Sequence, residues 1–185
     1  PRTPGVRPSA GSMKSLKVAD YEAIAKLDGV KAASPMTNGA YVVIYQNKNW
    51  TTSVSGVNAN YLDVNNWSMK SGRFLSEKNV QNRERVAVVG KTVVKNLFGD
   101  ENPVGAEIRV KNIPFRIIGV LNSKGSGAMG NDQDDMVIIP YTTAMERVEG
   151  IDYLRMIYVV GKDENGIDRL QSDIENLLRV RHGIK

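Results

Sequence analysis

The sequence predicts an α+β fold, in which helices pack against a mainly antiparallel β-sheet. Two regions rich in β-branched and aromatic residues predict β-hairpins, because each has extended runs on both sides of a polar turn. Helical periods open and close the chain, and the short apolar runs between them are typical of buried strands. No internal repeat is evident.

The chain opens on a predicted helix over residues 16–27. Tyr21 and Ile24 mark its apolar face. Asp20 lies in an early turn, where a carboxylate interacts favourably with the helix dipole. Lys17, at the start of this segment, is a poor N-cap, because its side chain cannot accept a hydrogen bond.

Strand patterns follow this helix. Residues 30–33 predict a short strand that Pro35 breaks, since proline has no N–H to donate to a sheet. Residues 40–46 and 50–57 predict a β-hairpin around a turn at 47–49. Residues 58–64 predict a helical turn with buried Tyr61 and Leu62, and residues 66–74 predict an irregular stretch.

The middle and end of the chain alternate between strands and helices. In the middle, a strand is predicted over 85–90, a helix over 92–98 and a loop over 99–105. A second hairpin is predicted from 107–110 and 115–120. A loop with three glycines and no periodicity covers 122–134. After this loop, a strand is predicted over 136–139, where Pro140 stops it, and a helix over 142–148. Another strand is predicted over 155–160, and a closing amphipathic helix over 166–181.

Composition is that of an ordinary globular protein, with 41% hydrophobic and 24% charged residues. Residues 1–13 are rich in Pro, Gly and Ser and predict a tag or a disordered leader. Two of the positive charges behind the net charge of +5 lie in this leader, and no run of cations exceeds two, so nucleic-acid binding is not expected. The apolar runs are too short to cross a bilayer.

Catalytic, metal-binding and cofactor-binding residues are not predicted. The chain has no cysteine, and its single histidine, His182, is interpreted as a solvated helix-end residue. Three neighbouring aspartates lack the spacing of a calcium-binding loop and are interpreted as part of a polar loop: Asp132, Asp134 and Asp135. The glycine-rich loop lacks Walker spacing, and it is predicted instead to contact a partner protein through Lys124, Gly125, Ser126, Gly127, Met129 and Asp132.

Several segments of the chain become recognisable as an ordered set. They are Ser55-Gly-Val-Asn-Ala-Asn-Tyr61, Trp67-Ser-Met-Lys-Ser-Gly-Arg-Phe74, Val86-Ala-Val-Val-Gly90, Leu97-Phe-Gly99, Asn102-Pro-Val-Gly105, Phe115-Arg-Ile-Ile-Gly-Val120 and Asp135-Met-Val-Ile-Ile-Pro140. In this order they resemble the MacB-like periplasmic core domain of ABC-transporter permeases. The opening and closing helices are also similar to those of this family, so that the resemblance covers about residues 14–185. One departure is Lys17, where the family usually has Thr or Ser.

The resemblance implies a two-lobed domain. One lobe, similar to the porter lobes of efflux pumps, is expected from both chain ends, residues 14–55 and 136–185. A small α/β lobe is expected to be inserted between them, residues 56–135. The first and last helices would then lie side by side at one pole.

The resemblance also implies a function in transport rather than catalysis. The domain would lie outside the cell membrane, in the periplasm or at the cell exterior, between two membrane helices of a permease. It would transmit the motion driven by a cytoplasmic ATPase domain or subunit, dock an adaptor protein and work beside a second permease copy. The alternatives are a domain that binds the exported peptide, antibiotic or lipoprotein directly, and a free-standing enzyme.

Overall fold

The structure, a computed structural model, describes residues 5–6, 16–124 and 132–183. Within these ranges the strands are β1 (Gly5–Val6), β2 (Val30–Tyr45), β3 (Lys48–Val57), β4 (Met69–Gly72), β5 (Val86–Val89), β6 (Glu107–Val110), β7 (Ile113–Leu121), β8 (Met136–Pro140) and β9 (Met156–Gly161). The helices are α1 (Val18–Ala25), α2 (Tyr61–Asn65), α3 (Glu77–Gln81), α4 (Lys91–Leu97), α5 (Tyr141–Thr143) and α6 (Ile167–His182). A π-helical segment, Ala144–Glu149, continues α5.

One continuous sheet joins the strands in the order β1-β9-β2-β3-β8-β5-β7-β4, and β6 pairs with both β2 and β7. Only the β3–β8 and β5–β7 pairs among these are parallel. The remaining pairs are antiparallel. The predicted α+β class with a mainly antiparallel sheet is therefore confirmed.

Strand β2 is longer than predicted, because it continues through Pro35 instead of ending there. Its first residues, from Val30 to Met36, pair with β9, and its later residues, from Thr37 onward, pair with β3. Pro35 faces Ile157 on the β9 side, and the β3 pairing begins two residues later. A proline that has a ladder partner on one side only does not interrupt the strand.

Both predicted hairpins are present, with tighter turns than predicted. Tyr45 pairs with Lys48, so the first turn contains only two residues. Val110 pairs with Ile113, and the two turn residues between them, Lys111 and Asn112, have φ values of 52° and 64°. Two consecutive positive φ values are typical of the type I′ turn, whose twist matches that of paired strands.

Two other predictions need correction, one helix was not predicted, and the leader stays a prediction. The irregular stretch 66–74 contains β4, and α3 was not predicted at all. The predicted helix 142–148 is a short α-helix that continues as a π-helix. The predicted leader lies outside the described residues except for β1, whose backbone pairs with the edge of β9. An extended segment can pair with an open strand edge whatever its side chains.

The apolar core has one cluster near the two chain ends and two clusters beneath the rest of the sheet. The end cluster contains residues of α1, β2, β9 and α6, such as Ile24, Val159 and Ile174. Val43 and Val54 lie in another cluster, together with apolar residues of the predicted inserted lobe. The boundary between two lobes stays a prediction.

Candidate functional site

Helices α1 and α6 lie side by side, as the sequence predicts for the first and last helices. Leu170 and Ile174 of α6 are buried, and they share an apolar cluster with Ile24 of α1. The spacing of Leu170 and Ile174, four residues apart, places them on the same face of α6. Apolar packing therefore contributes to holding the two helices side by side.

A buried carboxylate joins the start of α1 to the end of α6. The side chain of Asp20 is 3% exposed. Arg181 donates from Nε to Asp20 Oδ1 at 2.7 Å, and His182 Nε2 lies 2.9 Å from Asp20 Oδ2. The backbone N–H of Lys17 donates to the same Oδ2 at 2.8 Å. We call these four residues the Asp20 cluster.

The Asp20 cluster depends on where each helix begins and ends. Asp20 is the third residue of α1, from which a carboxylate reaches back to the N-cap backbone N–H. The Lys17 side chain does not cap the helix and pairs with Asp152 at 3.1 Å, as expected for a poor cap. Helix α6 ends at His182 because Gly183 adopts a left-handed conformation, with φ of 65°.

The charge of Asp20 is stabilised although the group is buried. Burial by itself raises the pKa of Asp20, but hydrogen bonds from Arg181, the Lys17 backbone and His182 outweigh it. The pKa therefore lies below the ordinary value of 3.8. The carboxylate stays ionised and keeps its attraction for Arg181 across the physiological range.

The prediction for His182 is wrong in one respect. The residue does end the last helix, but its side chain is only 17% exposed and faces Asp20 instead of solvent. The sequence could not show this pairing, because the two residues are 162 positions apart. The weak local signal was a carboxylate in the first turn of α1 combined with basic residues in the last turn of α6.

The predicted partner-contact loop is described only at its stem. Gly125, Ser126, Gly127 and Met129 lie outside the described residues, whereas Lys124 and Asp132 lie within them. The stem consists of residues 123–124 and 132–135. Its hydrogen bonds organise the two stretches of chain that lead into and out of the loop.

Aspartates of the stem bind different sets of partners. Asp134 is 5% exposed and accepts hydrogen bonds from the Ser123 hydroxyl at 2.6 Å and the Lys124 backbone N–H at 2.7 Å. Asp132 accepts from the Thr92 hydroxyl at 2.6 Å. Each carboxylate therefore holds the fold of the stem, which agrees with the polar-loop interpretation.

Asp135 joins the stem to the first hairpin. Its Oδ1 accepts hydrogen bonds from Trp50 Nε1 at 2.9 Å and from the Thr52 hydroxyl at 2.7 Å. Both donors belong to β3, on residues two positions apart that face the same side of the sheet. The indole of Trp50 thus reports on the position of the stem.

Lys124 is turned toward α2. Its Nζ donates to the backbone carbonyl of Asn65 and lies 4.3 Å from the centroid of the Trp67 ring. This distance fits a cation–π contact. Burial lowers the pKa of Lys124. The lysine side chain predicted to contact a partner is therefore engaged within the domain.

A cavity of about 320 Å³ lies beside α1, between it and α3. Two aromatic rings line it, Tyr21 and Tyr141, with centroids 6.1 Å apart in an edge-to-face arrangement. Asn58 donates from Nδ2 to the Tyr21 hydroxyl at 2.6 Å and to the Ala33 carbonyl at 2.9 Å. The sequence analysis placed Tyr21 on the apolar face of the first helix and did not predict this cavity.

In the part of the chain that the structure describes, no helix has the length and apolar character needed to cross a bilayer. The described residues form an α+β domain whose first and last helices are bound together by a buried carboxylate.

Solved structures of two transporter domains share this architecture. The periplasmic region of MacB from Actinobacillus actinomycetemcomitans superimposes with a TM-score of 0.85, at 25% identity, covering 97% of this chain and 83% of that one.

The extracellular domain of the noncanonic ABC-type transporter YknZ from Gram-positive bacteria shares the fold with a TM-score of 0.84, at 18% identity, covering 98% of this chain and 96% of that one. The fold of this chain is thus one that occurs in the extracytoplasmic domains of two transporters. A family model described as the MacB-like periplasmic core domain matches residues 2–177, and the chain belongs to this family. The resemblance predicted from the ordered segments is confirmed.

Curated relatives are much longer than this chain. The macrolide export ATP-binding/permease protein MacB of Rhodospirillum rubrum is 42% identical over 185 residues, which is 99% of this chain and 28% of the relative. The protein of the same name from Marinobacter nauticus is 35% identical over 185 residues, 100% of this chain and 29% of the relative. The chain therefore spans somewhat more than a quarter of the length of these relatives.

Proposed function

We propose that this chain is the extracytoplasmic domain of an ABC-transporter permease and that it passes ATP-driven motion on to substrate export. The observation that carries the proposal is the Asp20 cluster, which binds the first turn of α1 to the last turn of α6. The names of the relatives, which combine an ATP-binding part with a permease, support it. In that setting, ATP hydrolysis takes place on a separate cytoplasmic domain or subunit, and this domain is not an enzyme.

The contacts around the Asp20 cluster connect the helix pair to the sheet, so that a displacement of the helices can be passed on to the strands. Apolar packing and the buried carboxylate make α1 and α6 move together, because separating them would leave a charge unpaired. Backbone hydrogen bonds continue this connection: the N–H of Leu154 donates to Leu16 at 2.7 Å, and that of Lys162 donates to Gly29 at 2.9 Å. These four residues flank α1, β2 and β9, so a displacement of the helix pair would reach both strands through the bonds at their ends.

The test is an Asp20→Asn substitution in the full-length transporter that carries this domain, reconstituted in vesicles. We expect ATP hydrolysis to continue while export of a macrolide, the substrate class in the names of the relatives, falls at least about fivefold, the lower range of measured coupling effects. Asp173→Asn, on an exposed position of α6, is the matched control and should leave both rates unchanged. Unchanged export in a folded Asp20→Asn transporter would contradict the proposal.

Partners of the domain are a second permease copy and an adaptor protein, and the loop beyond the stem is the proposed adaptor contact. The stem carries its own hydrogen bonds, so the intervening residues 125–131 can be replaced without removing them. We expect an equally long Gly-Ser segment to weaken adaptor capture by the full-length permease. Undiminished capture would remove the loop from the interface, and a Glu107→Gln variant serves as the control for surface changes elsewhere.

Direct binding of an exported peptide, antibiotic or lipoprotein is the second candidate. The specific observation in its favour is the cavity lined by Tyr21 and Tyr141. The two candidates differ in what a cavity substitution does. If the domain captures substrate, Tyr21→Ala lowers the apparent affinity of the transporter for its substrate, whereas under pure coupling it leaves that affinity unchanged.

A further inference from the structure

The cavity beside α1 has an acidic rim and aromatic walls. Its lining includes Glu22 of α1 and Glu77 of α3, together with the rings of Tyr21 and Tyr141. No lysine or arginine lines it, and neither glutamate forms an ion pair with any described residue. Two carboxylates therefore face the opening without a counter-charge from the cavity walls.

One phenol in the cavity wall has a hydroxyl that a ligand can reach. Tyr141 as a whole is 9% exposed, but its oxygen is not one of the buried unpaired side-chain atoms among the described residues, so it faces the solvent-filled cavity. A phenol oxygen can accept a hydrogen bond from an N–H donor. The Tyr21 hydroxyl, by contrast, already accepts a hydrogen bond from Asn58.

Two glutamates place negative charge at the cavity. Burial is the largest cause of the raised pKa of Tyr21; a hydrogen bond from Asn58 opposes it, and the charges of Glu22 and Glu77 raise it further. Burial, with the nearby Tyr21 and Glu22, raises the pKa of Tyr141 to about 12. Burial disfavours every charge, whereas the carboxylates of Glu22 and Glu77 favour a cation over an anion at this place.

We propose that this cavity binds a protonated organic amine. The aromatic faces of Tyr21 and Tyr141 contact the cation, the Tyr141 hydroxyl accepts one of its N–H bonds, and Glu22 and Glu77 supply the negative charge. Its volume of about 320 Å³ is at the small end of ligand cavities, so it fits an amine head group with a short apolar body. This site is independent of the coupling role of the Asp20 cluster.

The test titrates the 185-residue chain with three probes of similar shape and different charge. These are 2-phenylethylamine, 2-phenylethanol and 3-phenylpropionate, followed by amide chemical shifts in NMR spectra. We expect the amine to bind with millimolar affinity and to shift residues of α1 and α3, the alcohol to bind at least about fivefold more weakly, and the carboxylate not to bind. Absence of amine binding up to about 50 mM, or equal binding of amine and alcohol, would overturn the proposal.

Variants assign the binding to the cavity. Glu22→Gln removes one charge and Tyr141→Phe removes only the hydroxyl that faces the cavity, and each should weaken amine binding by about threefold or more. Glu107→Gln makes the same chemical change as Glu22→Gln on an exposed position of β6, which lies outside the cavity lining, and should leave binding unchanged. Shifts confined to residues outside the cavity, or unchanged affinity in both cavity variants, would count against the site.

Discussion

Two regions of the domain bury an aspartate carboxylate, and they use it differently. Asp20 binds Arg181 and His182, which are 161 and 162 positions away in the sequence. Asp134 binds Ser123 and Lys124, which are 11 and 10 positions away, through a hydroxyl and a backbone N–H. The first carboxylate joins distant helices through an ion pair with Arg181, whereas the second closes a local loop through a hydroxyl and a backbone N–H. The Asp20 cluster should therefore lose its ion pair at acidic pH, and the stem should be sensitive to backbone packing.

The largest effect is expected where the stem packs against the start of α4. A Cβ at Gly90 would overlap the carbonyl oxygen of Asp134, which also accepts a hydrogen bond from the Thr92 backbone N–H at 3.2 Å. Because this neighbour is backbone and cannot rotate away, Gly90→Ala should lower the free energy of unfolding by about 3 kcal/mol. Urea unfolding measures this loss. Gly166→Ala, whose nearest contact would be at 3.9 Å, is the control, and equal losses in both variants would contradict the expectation.

The next effect concerns the Asp20 cluster. Asp20→Asn keeps the shape of the side chain but removes its charge and one acceptor, and leaves Arg181 without its carboxylate. We expect the free energy of unfolding to fall by about 2 kcal/mol, within the range for hydrogen bonds to charged groups. Asp173→Asn, also measured by urea unfolding, should change it by less than about 0.5 kcal/mol. A loss in Asp20→Asn as small as that of the control would show that apolar packing alone holds α1 to α6.

The pH dependence separates the ionic contribution from the packing. The pKa of Asp20 is lower in the folded state than its ordinary value of 3.8. Stabilisation by this group is therefore complete above about pH 4 and is lost as the pH falls through the lowered folded-state pKa. The difference in unfolding free energy between wild type and Asp20→Asn should shrink over this acidic range. A difference that stays constant down to about pH 2 would be inconsistent with an ionised Asp20.

The smallest effect is expected at the contact between the stem and β3. Asp135→Asn weakens the hydrogen bonds from Trp50 Nε1 and the Thr52 hydroxyl and should cost about 1 kcal/mol. The indole N–H resonance of Trp50 should move in the NMR spectrum, while the amide resonances of α6 stay in place. Asp100→Asn, on an exposed loop position, is the control. An unmoved indole resonance would show that this hydrogen bond does not form in solution.

Local patterns predicted most of the secondary structure. Helices α1, α4 and α6 and both hairpins were predicted from periodicity and turn residues, which act over a few positions. The passage of β2 through Pro35 was not, because it depends on β3 and β9 pairing with different parts of the same strand. Strand β4 was missed for a similar reason, since its Met-Lys-Ser-Gly sequence has no strand pattern and is extended through pairing with β7.

The functional geometry was harder to predict than the fold. The ordered segments predicted the family and the meeting of the first and last helices, but not the residues that join them. Asp20 and His182 each fit a local preference, because acidic side chains favour the start of a helix and basic side chains favour its end. Their contact follows from the alignment of two helices at opposite ends of the sequence, which no local pattern records.

Under the proposed function, the length of β2 would make it a lever arm. Its 16 residues extend from the helix pair at one end to the tip of the first hairpin at the other, which at about 3.3 Å per residue is a span of about 50 Å. A tilt of about 5° at the base of such a span moves its far end by about 4 Å, more than the length of one residue. Small rotations of α1 and α6 would thus be magnified into displacements large enough to break or make a contact at the hairpin tip.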